Sequence, residues 1–138
     1  MSADRKYEPK QAAKPLDDLV REFYVAGKGS SGPVKSAAAK KDVAAMTAIL
    51  DLTVPEGALW KLRRALCSGH SDLEFEVLAG KAGAETLRAH GDAKERETAN
   101  APLEDLPVAE KEKVLVRMAP KGGSAKTMKA TLFYEELT

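Results

Sequence analysis

The sequence predicts an all-β fold, an antiparallel β-sandwich of jelly-roll-like form preceded by an N-terminal arm and a short helix. Three observations predict it. Residues 47–77 spell two alternating runs, a Pro-Gly turn and a third alternating run. Two more alternating runs lie near the C-terminal end, around Val114–Met118 and Met128–Tyr134. No internal repeat is visible, and the runs recur at intervals closer to those of all-β folds than to the longer βαβ spacing. The chain divides into residues 1–33, an arm, helix and flexible connector, and residues 34–138, the sandwich domain.

With 138 residues the chain is about one domain long, enough to bury roughly two thirds of its unfolded surface in one core. Aromatic residues make up 5% and charged residues 31%, so that core is built from Leu, Val and Ala. Twenty-two basic and 21 acidic residues leave a net charge of +1, too weak a field to predict nucleic acid or an anionic membrane as partner. Cys67 is the single cysteine; it cannot close an internal disulfide and points to a reducing compartment. The N-terminal residues contain no apolar signal core, and nowhere do about 18 apolar residues run together. A soluble protein made in the cytoplasm is expected.

Residues 1–15 are polar, carry Pro9 and Pro15 and lack periodicity, the composition of an extended arm. Leu16, Leu19, Val20 and Phe23 then stand at i, i+3, i+4 and i+7, with Asp17 and Asp18 where a helix dipole favours anions. That spacing predicts a short amphipathic helix; the competing reading is a strand over residues 21–25, where Phe23, Tyr24 and Val25 favour β structure. Gly27 to Pro33 is a flexible connector by composition. Residues 36–46 are rich in Ala and Lys and prefer helix intrinsically, yet they run without a stop into the strand at residue 47.

Ala48, Leu50, Leu52 and Val54 share one face of that strand, Val54 to Gly57 supply the turn, and Trp60, Leu62 and Leu66 resume the two-residue period. Leu73, Phe75 and Val77 oppose Glu74 and Glu76 across the next strand, a turn follows at residues 80–83, and residues 85–90 form a weaker strand. The polar stretch 91–100 has no dominant period. The last two alternating runs, separated by the Pro120 to Ser124 loop, are expected to form a hairpin. The expected core is Leu50, Leu52, Trp60, Leu62, Phe75, Val77, Val116 and Leu132.

Candidate chemistry is sparse. Cys67 and His70 have C-x-x-H spacing, but a structural zinc site needs four ligands and only His90 remains to help; Cys67 as a nucleophile would need a base and an orienting group. The Gly- and Ser-rich segment 27–32 lacks the order and the strand–helix context of a phosphate-binding loop. Lys61, Arg63 and Arg64 are expected to pair with Glu74 and Glu76 across adjacent strands, the sharper alternative being a pocket for a carboxylate or phosphate. Glu104 and Asp105, Glu110 and Glu112, and Glu135 and Glu136 are carboxylate pairs that nothing places across a cleft. Trp60 reads as a core indole rather than a sugar platform, because three Phe and three Tyr are too few for an aromatic surface. No metal, cofactor or catalytic residue is expected.

The phrase from Val54 to Leu62, the alternation from Asp72 to Val77, and the run from Pro102 to Glu110 leading into Val114 to Arg117 resemble small β-sandwich virion proteins of tailed bacteriophages, above all capsid decoration, or cement, proteins. The resemblance covers residues 47–137. It implies a non-enzymatic structural protein on the capsid surface of a virion, made in the host cytoplasm. Its implied partners are the major capsid protein and copies of itself in a homotrimer, with neither nucleic acid nor membrane involved. The arm would reach neighbouring subunits, and the apolar stripe Leu16, Leu19, Val20, Phe23 with Tyr24 would make the partner contact. The alternative from a different class is a carbohydrate- or ligand-binding module with Trp60, His70 and His90 as its contacts.

Overall fold

The structure, a computed structural model, describes residues 33–138. The arm, the amphipathic segment with Leu16, Leu19, Val20, Phe23 and Tyr24, and nearly all of the connector lie outside the described residues. Eight strands make up the rest: β1 (Val34–Val43), β2 (Thr47–Thr53), β3 (Leu59–Gly69), β4 (Leu73–Gly80), β5 (Thr86–Ala93), β6 (Ala99–Val108), β7 (Lys113–Pro120) and β8 (Lys126–Leu137). They form two four-stranded antiparallel sheets, one ordered β1-β8-β3-β6 and the other β2-β7-β4-β5. Trp60, Leu62, Cys67 and Leu132 from the first sheet join Leu50, Phe75, Val77 and Val116 from the second in one apolar cluster, a sandwich-like arrangement.

The Ala- and Lys-rich stretch after residue 36 is strand, not helix. Val34 to Val43 pair with β8 without a break, from Val34 opposite Glu135 to Val43 opposite Lys126. An isolated helix of this length is marginal in water. The uninterrupted ladder satisfies its backbone groups instead, and Ala39 packs on the core.

Seven of the eight expected core residues are buried, and Leu52 is half-buried. Two β-bulges explain where the expected phase fails. In β2 the register passes from Ala48 opposite Arg117 to Leu50 opposite Val116, so Ile49 is an extra residue and both Ile49 and Leu50 are buried. In β3 it passes from Leu62 opposite Tyr134 to Arg64 opposite Phe133, leaving Arg63 extra. Trp60 and Leu62 therefore face inward before the bulge, whereas Ala65 and Cys67 do so after it, and Leu66 leaves the expected inward phase and is only half-buried.

Consecutive strands alternate between the sheets, with β4 and β5 the one neighbouring pair among the described strands, and this corrects two expectations. The runs β7 and β8 do not form a hairpin, because β7 lies in the second sheet and β8 in the first. For the same reason β3 does not adjoin β4, so the β3 cations find other partners: Lys61 and Arg63 meet Glu135 on β8, while Glu76 on β4 pairs with Arg117 on β7. The Pro102–Glu110 run is mostly strand β6. It lies at a sheet edge, where Pro102 and Pro107 do not interrupt a second ladder. The β2–β3 connection is a tight turn closed by Ala58 N–H donating to Pro55 C=O at 3.1 Å, with Gly57 at φ 83°, the left-handed conformation a type II turn requires.

Candidate functional site

The candidate residues from the sequence do not converge. Cys67 is fully buried, and burial pushes its thiol up to about 12, so at neutral pH it is an unreactive thiol. His70 is exposed in the turn after β3, and His90 is exposed on β5 in the other sheet. Trp60 lies near the start of β3, ten residues from His70 and so roughly 30 Å away along the strand. It is buried, its ring stacks on Tyr134 at 4.0 Å between centroids, and its Nε1–H donates to Glu136 Oε2 at 3.0 Å. That indole is a structural anchor with no face open to a sugar.

Apart from the exposed Glu104, the carboxylates of those pairs are taken up by local structure. Glu110 accepts Gly57 N–H at 2.6 Å, and Glu112 accepts Ala109 N–H at 3.0 Å, so both brace the loop beside the β2–β3 turn. Glu135 and Glu136 fall on opposite faces of β8. Glu136 receives the Trp60 indole and Lys35 Nζ at 2.6 Å; those hydrogen bonds hold its carboxyl below the usual carboxylate range and Lys35 above its own. Glu135, buried, accepts from Arg63 and lies 3.9 Å from Lys61 Nζ. Arg63 also reaches Asp105 at 3.1 Å. Asp105 sits in a second irregularity of β6, where Leu103 to Asp105 face Arg63 alone and Glu104 and Asp105 take φ values of 54° and 59°.

Among the described residues, clefts of about 310 Å³ open on the surface at two places. One lies beside the β6 irregularity, between Arg88, Pro102 and Leu106. The other lies at the far end of the first sheet and is the more coherent site. Lys40 on β1 faces Lys129 on β8, and Lys129 faces Ser68 on β3, so the three stand in one row across the sheet. Two loops are pinned above that row. His70 N–H donates to Thr127 C=O at 3.1 Å, and Arg96 N–H donates to Gly69 C=O at 2.9 Å, which places His70 and Arg96 along the cleft with the hydroxyls of Thr98 and Thr127. Arg96 holds φ 64°, a conformation a non-glycine residue rarely takes. Gly69 has no room for a side chain: a Cβ there would stand 2.5 Å from Met128 Sδ and 3.1 Å from Thr127 C=O.

The sequence singled out His70 alone from this cleft. Lys40, Arg96 and Lys129 belong to three separated segments, and only the β1–β8 register and the pinned β5–β6 loop bring them together.

No family model matches the sequence, and comparison with curated proteins finds no match. Among solved structures the chain is similar to one described as the crystal structure of PirA, at 12% identity and a TM-score of 0.42, over 77% of this chain and 97% of that one. So distant a likeness assigns neither fold nor function.

Proposed function

We propose that the chain is a jelly-roll interaction protein that binds and stabilises a bacteriophage capsid shell, acting without catalysis, as a homotrimer on the virion surface. The observation that carries this reading is the strand order. Eight antiparallel strands in sheets ordered 1-8-3-6 and 2-7-4-5 support the jelly-roll reading, an architecture used by viral capsid and lectin domains. A fold of this kind hosts several functions, so the role rests on two further supports, the resemblance of residues 47–137 to decoration proteins and the composition of the arm. The described part begins beside Val34, at the start of edge strand β1. Leu16, Leu19, Val20, Phe23 and Tyr24 supply the apolar contact to the major capsid protein or to a neighbouring copy.

The test is co-sedimentation with undecorated shells. The full chain should bind saturably, and a chain lacking residues 1–33 should remain folded by circular dichroism yet bind weakly or not at all. Unchanged binding by the truncated chain removes the arm from the mechanism; no binding by the full chain, with a light-scattering mass of one protomer, removes the capsid reading.

A further inference from the structure

We propose that the cleft between Lys40, Lys129, His70 and Arg96 is a binding site for a sugar-sized polyol carrying one phosphate or sulfate monoester, with the ester oxyanion seated between Lys40 and Lys129. The inference does not depend on the capsid reading.

The lysine pair is the first support. Lys40 and Lys129 are direct register partners on the same face of the β1–β8 ladder, which puts their Cβ atoms roughly 5 Å apart. Like charges directly opposite destabilise a sheet, and an opposite charge placed between them relieves the repulsion. The rest of this row is Ser68, a neutral hydroxyl. Among the described residues no carboxylate lies within ion-pair distance of either lysine. Other strand cations do have carboxylate partners, Lys35 with Glu136, Lys113 with Asp51 and Arg117 with Glu76, while Lys41 turns to the Ala48 carbonyl and Arg64 lies over the Phe133 ring; what sets Lys40 and Lys129 apart is that they stand directly opposite one another. A bound oxyanion between the two ammonium groups supplies the missing negative charge.

The surroundings then select the ligand. The cleft is concave and about 310 Å³ in volume, the size of a small-molecule site rather than of a macromolecular groove. Its remaining lining offers the Ser68, Thr98 and Thr127 hydroxyls, the His70 ring and the Arg96 guanidinium, which suit a polyhydroxylated body better than an apolar one. Acidic groups surround the lining: Asp42 accepts the Thr127 hydroxyl at 2.6 Å, Glu95 lies 3.5 Å from Arg96, and Asp72 accepts Glu95 N–H at 3.0 Å. These carboxylates beside the lining disfavour a long polyanion, which a net charge of +1 does nothing to attract.

Isothermal titration at low salt with glucose 6-phosphate, glucose 6-sulfate, unsubstituted glucose, inorganic phosphate and a single-stranded oligonucleotide tests this. One or both esters should bind at one site, at least tenfold tighter than inorganic phosphate, with glucose silent; which ester is preferred identifies the source. Lys129→Gln should weaken binding about tenfold, the loss of one charge-assisted contact, and Lys40→Gln combined with Lys129→Gln should abolish it. Without ligand that double variant should melt no lower than the parent, which separates a ligand role from a structural one. Esters that bind no tighter than inorganic phosphate, binding that survives the double variant, or an oligonucleotide that binds tighter than both esters would each overturn the proposal, the last in favour of nucleic acid.

Discussion

At the end of the β3–β8 ladder where β3 begins, charges are matched: Glu136 takes hydrogen bonds from Lys35 and Trp60, and Glu135 is held by Arg63 and Lys61. At the opposite end, Lys40 and Lys129 face one another, with Ser68 next in the same row. The same two strands run through both ends, so the contrast does not come from fold or strand type. Charge is spent on structure at one end, and at the other it is what the proposed ligand would meet. The Arg63 bulge marks the boundary, since it turns the β3 side chains over between the two regions.

The largest effect should come from emptying the matched end. Trp60 is buried against Tyr134 and packs in the shared core, so Trp60→Ala should destabilise the fold by about 3–5 kcal/mol in urea unfolding. It would also leave Glu136 without its indole donor. A neutral substitution would mean that this end is not an anchor and would erase the contrast.

Next comes the bulge. Arg63 is about half-exposed, but Glu135 beneath it is buried, and its Oε1 has no hydrogen-bond donor. Arg63→Ala therefore leaves a buried carboxylate with Lys61 as its remaining cation at 3.9 Å, a cost of about 1–3 kcal/mol. Lys129→Gln, equally a lost cation on β8's sheet, should cost nothing or stabilise slightly. If the two substitutions shifted the urea midpoint equally, the ends would not differ in kind.

Much of the strand content was legible in the sequence, because a half-buried strand must alternate and Leu73, Phe75 and Val77 or Val114, Val116 and Met118 can do so in only one phase. What alternation does not encode is which strand lies beside which. Lys61 and Arg63 looked suited to Glu74 and Glu76 because those residues follow next in the chain, whereas the chain crosses to the other sheet at each of those turns. The bulges at Ile49 and Arg63 were hidden because an inserted residue leaves a normal composition and changes only the count. The strand at β1 was masked by alanines whose helical preference amounts to tenths of a kcal/mol per residue and yields to a complete ladder. The Lys40–Lys129 pair is a product of that ladder, so no local motif could announce it.

The smallest expected effect is the most specific to the matched end. Glu136 has its carboxyl held low, first by the Lys35 hydrogen bond and then by the Trp60 indole, and Lys35 is held high by the same partner. A depressed carboxyl contributes stability that is fully present above its unfolded value near 4.5 and is lost as pH falls through the lower folded value. A raised ammonium contributes stability that is fully present below 10.5 and is lost as pH rises through the higher folded value. Between those limits the pair should leave stability flat with pH. Lys35 is half-exposed, so screening keeps the contribution small. Trp60 is the single tryptophan of the chain and stacks beside the pair, so its fluorescence reports the site directly. In Lys35→Met the acid-side fluorescence transition should move up toward the ordinary carboxylate range and the alkaline one should vanish, while Lys129→Gln should leave both in place. Identical curves for Lys35→Met and the parent would show that Glu136 is held by the indole alone, and the charge matching at this end would shrink to the Arg63 bulge.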